Sequence, residues 1–218
     1  MSPRVTLIHA VQVAIPPVIQ AFREDWPAAE VTNLLDDGLT SALAREGGLT
    51  VPIVQRIRDL ATYAARAGAD GILFTCSAFT PAMDLARKDV TIPPLKPDEA
   101  MFAAALDVGR RIGVVATFPG TIPVAEPQIS AMAAARGLDV EILSTVAPEA
   151  FKAMNVGDVA THDRLVVDAA VALAPRVDVV CLAQFSMARA RGEIQRRVSI
   201  PVLTSPTAAV QRLRALLG

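Results

Sequence analysis

One apolar run in this chain ends in a thiol. Ile72-Leu73-Phe74-Thr75-Cys76-Ser77-Ala78-Phe79-Thr80 brings a cysteine, flanked by two hydroxyls, to the point where a helical pattern begins. Where a strand ends and a helix starts, unpaired backbone N–H groups and the positive end of the helix dipole favour the thiolate, the form of cysteine that acts as base or nucleophile. Thr75 and Ser77 offer hydroxyls to an anionic group, helped by the same N–H groups. The plainer alternatives are that Cys76 packs as a small apolar residue at the end of a buried strand and that Ser77 only caps a helix. His9 ends the first apolar run and is either a second base or a hydrogen-bonded strand-end histidine. Asp36 and Asp37 end the second run, one of them a candidate for the site, although Asp-Asp-Gly is also ordinary turn chemistry. His162, one residue after Thr161, is expected at the surface. Cys181 lies inside an apolar strand and reads as a core thiol.

The elements that position these residues alternate between strand and helix. Residues 4–10 read as a buried strand, followed by a helix that starts at Pro16-Pro17 and runs through Phe22 towards Trp26-Pro27. A second strand covers 30–35 and ends in the loop Asp36-Asp37-Gly38. Thr50 caps a helix whose apolar residues Ile53, Ile57, Leu60, Ala61 and Ala64 recur at helical spacing until Gly68 closes it. The third strand, 71–75, is continuously apolar, as a parallel strand covered on both faces would be. A helical segment to about Lys88 and a short strand or extended connection at Ile92-Pro93-Pro94-Leu95 follow. The second half repeats this order. A strand at 111–117 leads to a helix that starts late or kinks at Pro127 and ends near Gly137. Next come a strand at 140–143, a helix at 161–174 with Leu165, Val166, Ala169, Ala172 and Leu173 on one face, and a strand at 178–183. A further helix, an extended segment at 200–203 and a last helix from Thr207 to Leu217 complete the chain.

The repeat is more specific than a general α/β pattern. An offset of 108 residues relates Asp70 to Asp178, Ile72 to Val180, Phe74 to Leu182 and Ile92-Pro93 to Ile200-Pro201, while the opening strands match at an offset of 107. The expected fold is therefore α/β, with two pseudo-symmetric Rossmann-like lobes built on parallel sheets. Lobe 1 is expected at residues 1–96, with the C-terminal helix 207–218 packing back on it, and lobe 2 at 97–206. Ligands of open parallel sheets bind beyond the carboxyl ends of the strands, so a cleft between the lobes is the expected site, and the counterpart of Cys76 across it is Gln184.

Composition narrows the function classes. In 218 residues the formal net charge is −1, which gives no support to nucleic-acid binding. The cluster from Arg189 to Arg197 contains Glu193 at helical spacing and reads as one solvated helix face. No apolar run reaches the ~18 residues of a membrane span. Two cysteines do not make a disulfide framework, and the start Met-Ser-Pro-Arg lacks the apolar segment of a signal peptide, so a cytoplasmic location is expected. Two histidines and two scattered cysteines show no metal spacing, and Gly109, Gly113 and Gly120 do not form a dinucleotide fingerprint.

Phe74-Thr75-Cys76-Ser77, Asp178-Val179-Val180-Cys181-Leu182-Ala183-Gln184, the strand end Val115-Ala116-Thr117 and Pro201-Val202-Leu203-Thr204-Ser205-Pro206 together resemble the aspartate/glutamate/hydantoin racemase superfamily. The resemblance implies two lobes enclosing a small carboxylate-containing substrate, and a cysteine from each lobe as opposed acid/base groups, with no metal or pyridoxal cofactor. It also implies a homodimer or higher homo-oligomer. Cys76 matches the first cysteine of that pattern, and Gln184 stands at the second. His9 is placed where family members hold a substrate-binding polar residue, and Thr117 and Thr121 where they bind the substrate carboxylate; Thr121 has helix capping as its alternative role. An amide neither removes nor delivers a proton at neutral pH, but it donates a hydrogen bond to a carboxylate or developing enolate. The expectation is a cofactor-independent racemase or isomerase acting next to a carboxylate or carbonyl through Cys76. The alternatives are a one-cysteine decarboxylase of the arylmalonate type, a cis-trans isomerase, or a non-catalytic protein that binds small carboxylates.

Overall fold

Runs such as Gly71–Phe74 and Val179–Leu182 are apolar at every position and therefore need cover on both faces. In the computed structural model, which describes residues 2–218, they become central strands of two four-stranded parallel sheets. The chain divides into two units, one of residues up to Pro97 together with Ala209–Gly218, the other Asp98–Ala208. In the first unit β1 (Arg4–His9), β2 (Glu30–Leu35), β3 (Gly71–Phe74) and β4 (Pro94–Leu95) pair in the order β2-β1-β3-β4. They are joined by the helices α1 (Ile15–Asp25), α2 (Gly38–Glu46), α3 (Val51–Arg66) and α4 (Thr80–Ala86).

The second unit opens with α5 (Glu99–Val108), and its strands are β5 (Arg111–Ala116), β6 (Glu141–Val146), β7 (Val179–Leu182) and β8 (Val202–Thr204), in the order β6-β5-β7-β8. Its other helices are α6 (Ile122–Ala135), α7 (Pro148–Asn155), α8 (Val159–Leu173) and α9 (Arg191–Arg197). The helix α10 (Ser205–Leu217) begins in this unit and continues in the first.

The strand registers carry the internal repeat. Val5 pairs with Gly71 where Ile112 pairs with Val179, and Ile72 pairs with Pro94 where Val180 pairs with Val202. The offsets of 107 and 108 predicted from sequence are thus those of the two sheets. Asp70 and Asp178 do the same work in both: each carboxylate accepts the backbone N–H that opens the first strand, Arg4 and Arg111 respectively, at 2.8 Å. At Asp178 the N–H and guanidinium of Arg111 and the N–H of Arg110 hold the carboxyl at about 2.

Alternate side chains of the central strands enter different cores. Val180 and Leu182 pack with Val166, Ala170 and Ile194 on one face, and Val179 and Cys181 with Phe102, Leu106 and Ile129 on the other. In the first unit Ile72 and Phe74 pack with Ile53, Ile57 and Met83. Gly68, at a φ of 89°, ends α3 in the left-handed region expected of a glycine stop, and the N–H groups of Gly68 and Ala69 close on the carbonyls of Ala65 and Ala64.

Three helices go beyond the elements predicted from sequence. The loop Asp36-Asp37 leads directly into α2, α5 fills the region before β5, and α7 precedes α8. Pro127 lies inside α6, which starts at Ile122 and not late. The Arg189–Arg197 cluster is not one helix face. Arg189, in a 3₁₀ turn, pairs with Asp163, Arg191 donates to the carbonyl of Val202, and Arg196 and Arg197 pair with Glu193.

α10 packs against the first sheet at Gly71. A Cβ there would lie 2.8 Å from Leu217 Cδ1 and 3.2 Å from Leu213 Cδ2. Gly71→Val is expected to destabilise the fold by about 1–3 kcal/mol through overpacking, measured as a lower urea midpoint at unchanged slope.

Candidate active site

Backbone N–H groups at the carboxyl end of a parallel strand run out of ladder partners, and the residues just beyond that end become free to act. Cys76 stands two residues past β3 and Gln184 two residues past β7. Both have extended backbones, with φ −132° and ψ 108° at Cys76 and φ −154° and ψ 142° at Gln184. Both immediately precede a 3₁₀ turn, Ser77–Phe79 and Phe185–Ala190. The position that the repeat assigns to Gln184 is therefore the structural equivalent of Cys76. Cys76 is half-buried against the core of the first unit, whereas Cys181 lies fully buried within β7. Burial, and then the charge of Asp98, pushes the Cys181 thiol far above its ordinary range.

In the first unit a hydrogen-bonded chain crosses three strands. His9 ends β1 fully buried, its Nδ1 is 2.8 Å from Thr75 Oγ1 and its Nε2 is 2.9 Å from Asn33 Oδ1 on β2. With Nε2–H donating to the Asn33 carbonyl oxygen, Nδ1 is the lone-pair nitrogen and accepts the Thr75 hydroxyl proton. Burial lowers the His9 pKa, opposed by the bond to Asn33, so the ring is held neutral with both nitrogens occupied. Thr75 is buried beside it, its N–H on the carbonyl of Ile8 at 3.1 Å. Asn33 is the member of this chain that sequence reasoning missed; an amide in a strand next to the one that ends in His9 is its only signal.

Asp36 is committed elsewhere, since Arg56 of α3 grips both of its carboxylate oxygens. Ser77 lies in the first turn after Cys76, and no side chain caps either the 3₁₀ turn or α4.

In the second unit one oxygen gathers three donors. Gln184 Oε1 accepts the Thr117 N–H at 2.6 Å, the Thr117 hydroxyl at 2.9 Å and the Phe118 N–H at 3.3 Å. These donors settle which end of the amide is which, because two backbone N–H groups require an oxygen. What the side chain has left to offer is its NH₂, a donor. Phe118 is a further contact that sequence reasoning missed. Thr121 is buried at the start of α6 and its hydroxyl does not cap that helix.

His162 corrects a surface expectation. It is fully buried, because it shares the inner stripe of α8 with Val166, Ala170 and Leu173 at helical spacing, a stripe rotated from the predicted face. Its Nδ1 is 2.8 Å from Asp163 Oδ1, and its buried Nε2 has no protein partner among the described residues. Among those residues no three His, Cys, Asp or Glu side chains cluster as a metal site, and no helix is long and apolar enough to cross a membrane.

A family model described as Asp/Glu/hydantoin racemase matches residues 2–213. The chain belongs to this family. An uncharacterized protein of Schizosaccharomyces pombe is 27% identical over 195 residues, which cover 87% of this chain and 75% of that one. Among solved racemase structures, allantoin racemase from Klebsiella pneumoniae matches with a TM-score of 0.72 at 16% identity, over 99% of this chain and 87% of its own. Glutamate racemase from Francisella tularensis matches at 0.73 and 12% identity, over 99% and 81%. An aspartate racemase homologue from Pyrococcus horikoshii matches at 0.70 and 16% identity, over 100% and 99%. At these identities the likeness is one of fold, the paired parallel sheets of the racemase family.

Two buried groups give opposite pH signatures. Burial holds the folded His9 pKa below the ordinary histidine value of 6.5, so its contribution is complete above about 6.5 and is lost as pH falls towards the lowered value. His9→Gln is expected to remove that acid-side loss, read as urea midpoints across the window. Asp98, which receives the Ser205 hydroxyl, is raised by burial to about 7. Between about pH 4 and 7 the folded protein holds a proton that the unfolded chain releases, so stability falls as pH rises, by on the order of 4 kcal/mol at most, and levels off above. Asp98→Asn is expected to flatten this descent and raise Tm on the alkaline side.

Proposed function

We propose that this protein is a cofactor-independent enzyme that acts at a carbon next to a carboxylate or carbonyl, with Cys76 as its acid/base or nucleophilic group. The observation that supports this most is the position of Cys76. It is a half-buried thiol just past the end of β3, in extended backbone ahead of a turn, where N–H groups leave the ladder. In racemisation the Cys76 thiolate would take the α-proton and become the thiol, a water molecule would deliver a proton to the opposite face of the enolate, and the hydroxide left would be neutralised by the thiol's proton, restoring the thiolate. Ser77 would bind a substrate oxygen, and Thr75 would do so by turning its hydroxyl proton from His9 Nδ1 to the substrate. His9 enters the proposal as a positioning residue: a neutral ring with both nitrogens in use orients Thr75 more readily than it exchanges protons with a substrate.

The amide at the second position favours one-thiol chemistry as the alternative. Gln184, with its oxygen on Thr117 and Phe118, can stabilise negative charge through its NH₂ but cannot return a proton. In a decarboxylation, the carbon–carbon bond of a malonate-type substrate breaks, carbon dioxide leaves, and the enediolate takes the proton of the Cys76 thiol, which solvent restores. In a cis-trans isomerisation the thiolate adds to the double bond, the resulting single bond rotates, and the thiolate leaves. Thr117 belongs to substrate binding through Gln184, and Thr121 supports the same loop. A small carboxylate-bearing substrate, a cytoplasmic location and a homo-oligomeric state are parts of the same proposal.

Incubation in deuterated water with amino acids, hydantoins and malonates separates these chemistries. α-Deuterium with inversion is expected for a racemase, and carbon dioxide release for the decarboxylase. Cys76→Ala is expected to lower whichever rate is found by about 10²–10⁴-fold. Full activity in that variant would rule out the role of Cys76. Alkylation of Cys76 slowed by carboxylates, with no turnover of any of these compounds, would identify a binding protein.

A further inference from the structure

The second unit shows an oxygen bound at the end of its first strand, and the first unit has the same donors. Thr117 and Phe118 follow β5 as Ala10 and Val11 follow β1, at the offset of 107 that relates the paired registers of the two strands. Val11 and Phe118 are both extended, at φ −147° and ψ 141° and at φ −102° and ψ 124°, and each opens a 3₁₀ turn, Gln12–Ala14 and Pro119–Thr121. The turns close alike, with Ala14 N–H on the carbonyl of Val11 at 3.4 Å and Thr121 N–H on that of Phe118 at 3.0 Å. The neighbouring ladders end alike as well, with Thr75 N–H on Ile8 and Ala183 N–H on Val115. The equivalence therefore covers the donors, the turn that aims them and the residue that faces them.

The occupant differs. Gln184 places a carboxamide oxygen on the N–H groups of Thr117 and Phe118. At the equivalent position Cys76 ends at Sγ, which corresponds to Cγ of the glutamine, so nothing in its side chain corresponds to the carboxamide. Among the described residues the N–H groups of Ala10 and Val11 have no hydrogen-bond partner, although Ala10 is only 3% exposed. Burying a backbone donor without an acceptor is costly and uncommon.

We infer that the N–H groups of Ala10 and Val11 form an oxyanion-binding site next to Cys76 that takes a substrate carboxylate, in the way the carboxamide of Gln184 is taken in the second unit. A carboxylate and a carboxamide are planar three-heavy-atom groups of the same shape, each with an oxygen to offer, and the carboxylate adds charge assistance to each bond. Its carbon cannot take the place of Cδ of a glutamine, which would lie a bond length from Sγ; held by an oxygen on the two N–H groups, the carboxylate lies instead in contact with the thiol, so that the carbon next to it is within reach of Sγ. The N–H groups also stabilise the negative charge that grows on the carboxylate oxygens as an enediolate forms. This site rests on the reading of Cys76 as the reactive thiol for its purpose, but not for its existence.

The test is amide NMR of the full chain titrated with malonate. The Ala10 and Val11 amide protons are expected to move downfield and saturate, while those of Thr117 and Phe118, already bonded to Gln184, stay in place. Cys76→Gln should copy the second unit into the first: the Ala10 and Val11 resonances should lie downfield without ligand, and malonate affinity should fall by about tenfold or more, the weight of a charge-assisted hydrogen bond. Cys76→Ala should bind malonate as the native protein does and, by the same spectra, reports on the site if the glutamine variant does not fold. Malonate that shifts Thr117 and Phe118 but not Ala10 and Val11, or shifts none of the four, overturns the inference. Shifts at Ala10 and Val11 in a protein that turns over no substrate would sustain the site and reject the enzymatic reading instead.

Discussion

A parallel strand covered on both faces has nowhere to present a functional side chain except beyond its end. In both sheets the two inner strands, β1 and β3 or β5 and β7, are buried almost without interruption, so their side chains are committed to two cores. The candidate site residues accordingly lie at the last position of an inner strand or just past it. There the N–H groups lose their ladder partners and must find others. His9, Thr75 and Cys76 occupy those ends in one sheet, and Thr117, Phe118 and Gln184 in the other. The positions of all six follow from the same constraint on buried backbone.

The two sheets solve the constraint with different atoms. In the second, the carboxamide of Gln184 satisfies the loop after β5 from within the chain, which makes that end self-sufficient. In the first, the polar groups are drawn into a line from Asn33 through His9 to Thr75. The register equivalents of His9 and Asn33 are Ala116 and Ser144, and Ser144 bonds Glu126 of α6 instead. Two sheets that are nearly equivalent in backbone are therefore different in side-chain chemistry, with a sulfur at the strand end of the first and an amide at that of the second. An arrangement with two equivalent bases needs two groups that exchange protons. At the two equivalent positions this chain has one thiol, in the first unit, and one amide, in the second, whose oxygen is held by Thr117 and Phe118.

Most of the frame was legible in the sequence because it is periodic and local. The β2 segment from Glu30 to Leu35, the buried stripe of Ile53, Ile57, Ala61 and Ala64, and the glycine stop after α3 all depend on neighbours a few residues away. The elements that escaped prediction are those whose cause is distant. α5 is rich in strong helix formers, but it is apolar nearly all round, so no amphipathic period marks it in the sequence; in the fold Met101, Phe102, Ala105 and Leu106 pack against the second sheet. His162 is expected at the surface from its place in the first turn, yet its spacing from Val166 and Ala170 places it on the buried side once α8 has a sheet to face. The arginine cluster was divided by a 3₁₀ turn that sends Asp163, the carbonyl of Val202 and Glu193 to different guanidinium groups.

The sequence by itself determined where the strands end, which residues stand there and, through the offset of 108, that Cys76 and Gln184 are equivalent, since hydrophobic period and repeat are properties of the chain alone. The tertiary structure decided which partner each of these groups takes. Asn33 reaches His9, and Thr117 and Phe118 reach Gln184, across 24 and 67 or 66 residues of chain. Those meetings are set by strand order and by register to a single residue, and a shift of one residue would turn each side chain to the opposite face. Register is fixed by the burial of whole sheets, so the chemistry at the strand ends is a consequence of cores formed by residues elsewhere in the chain.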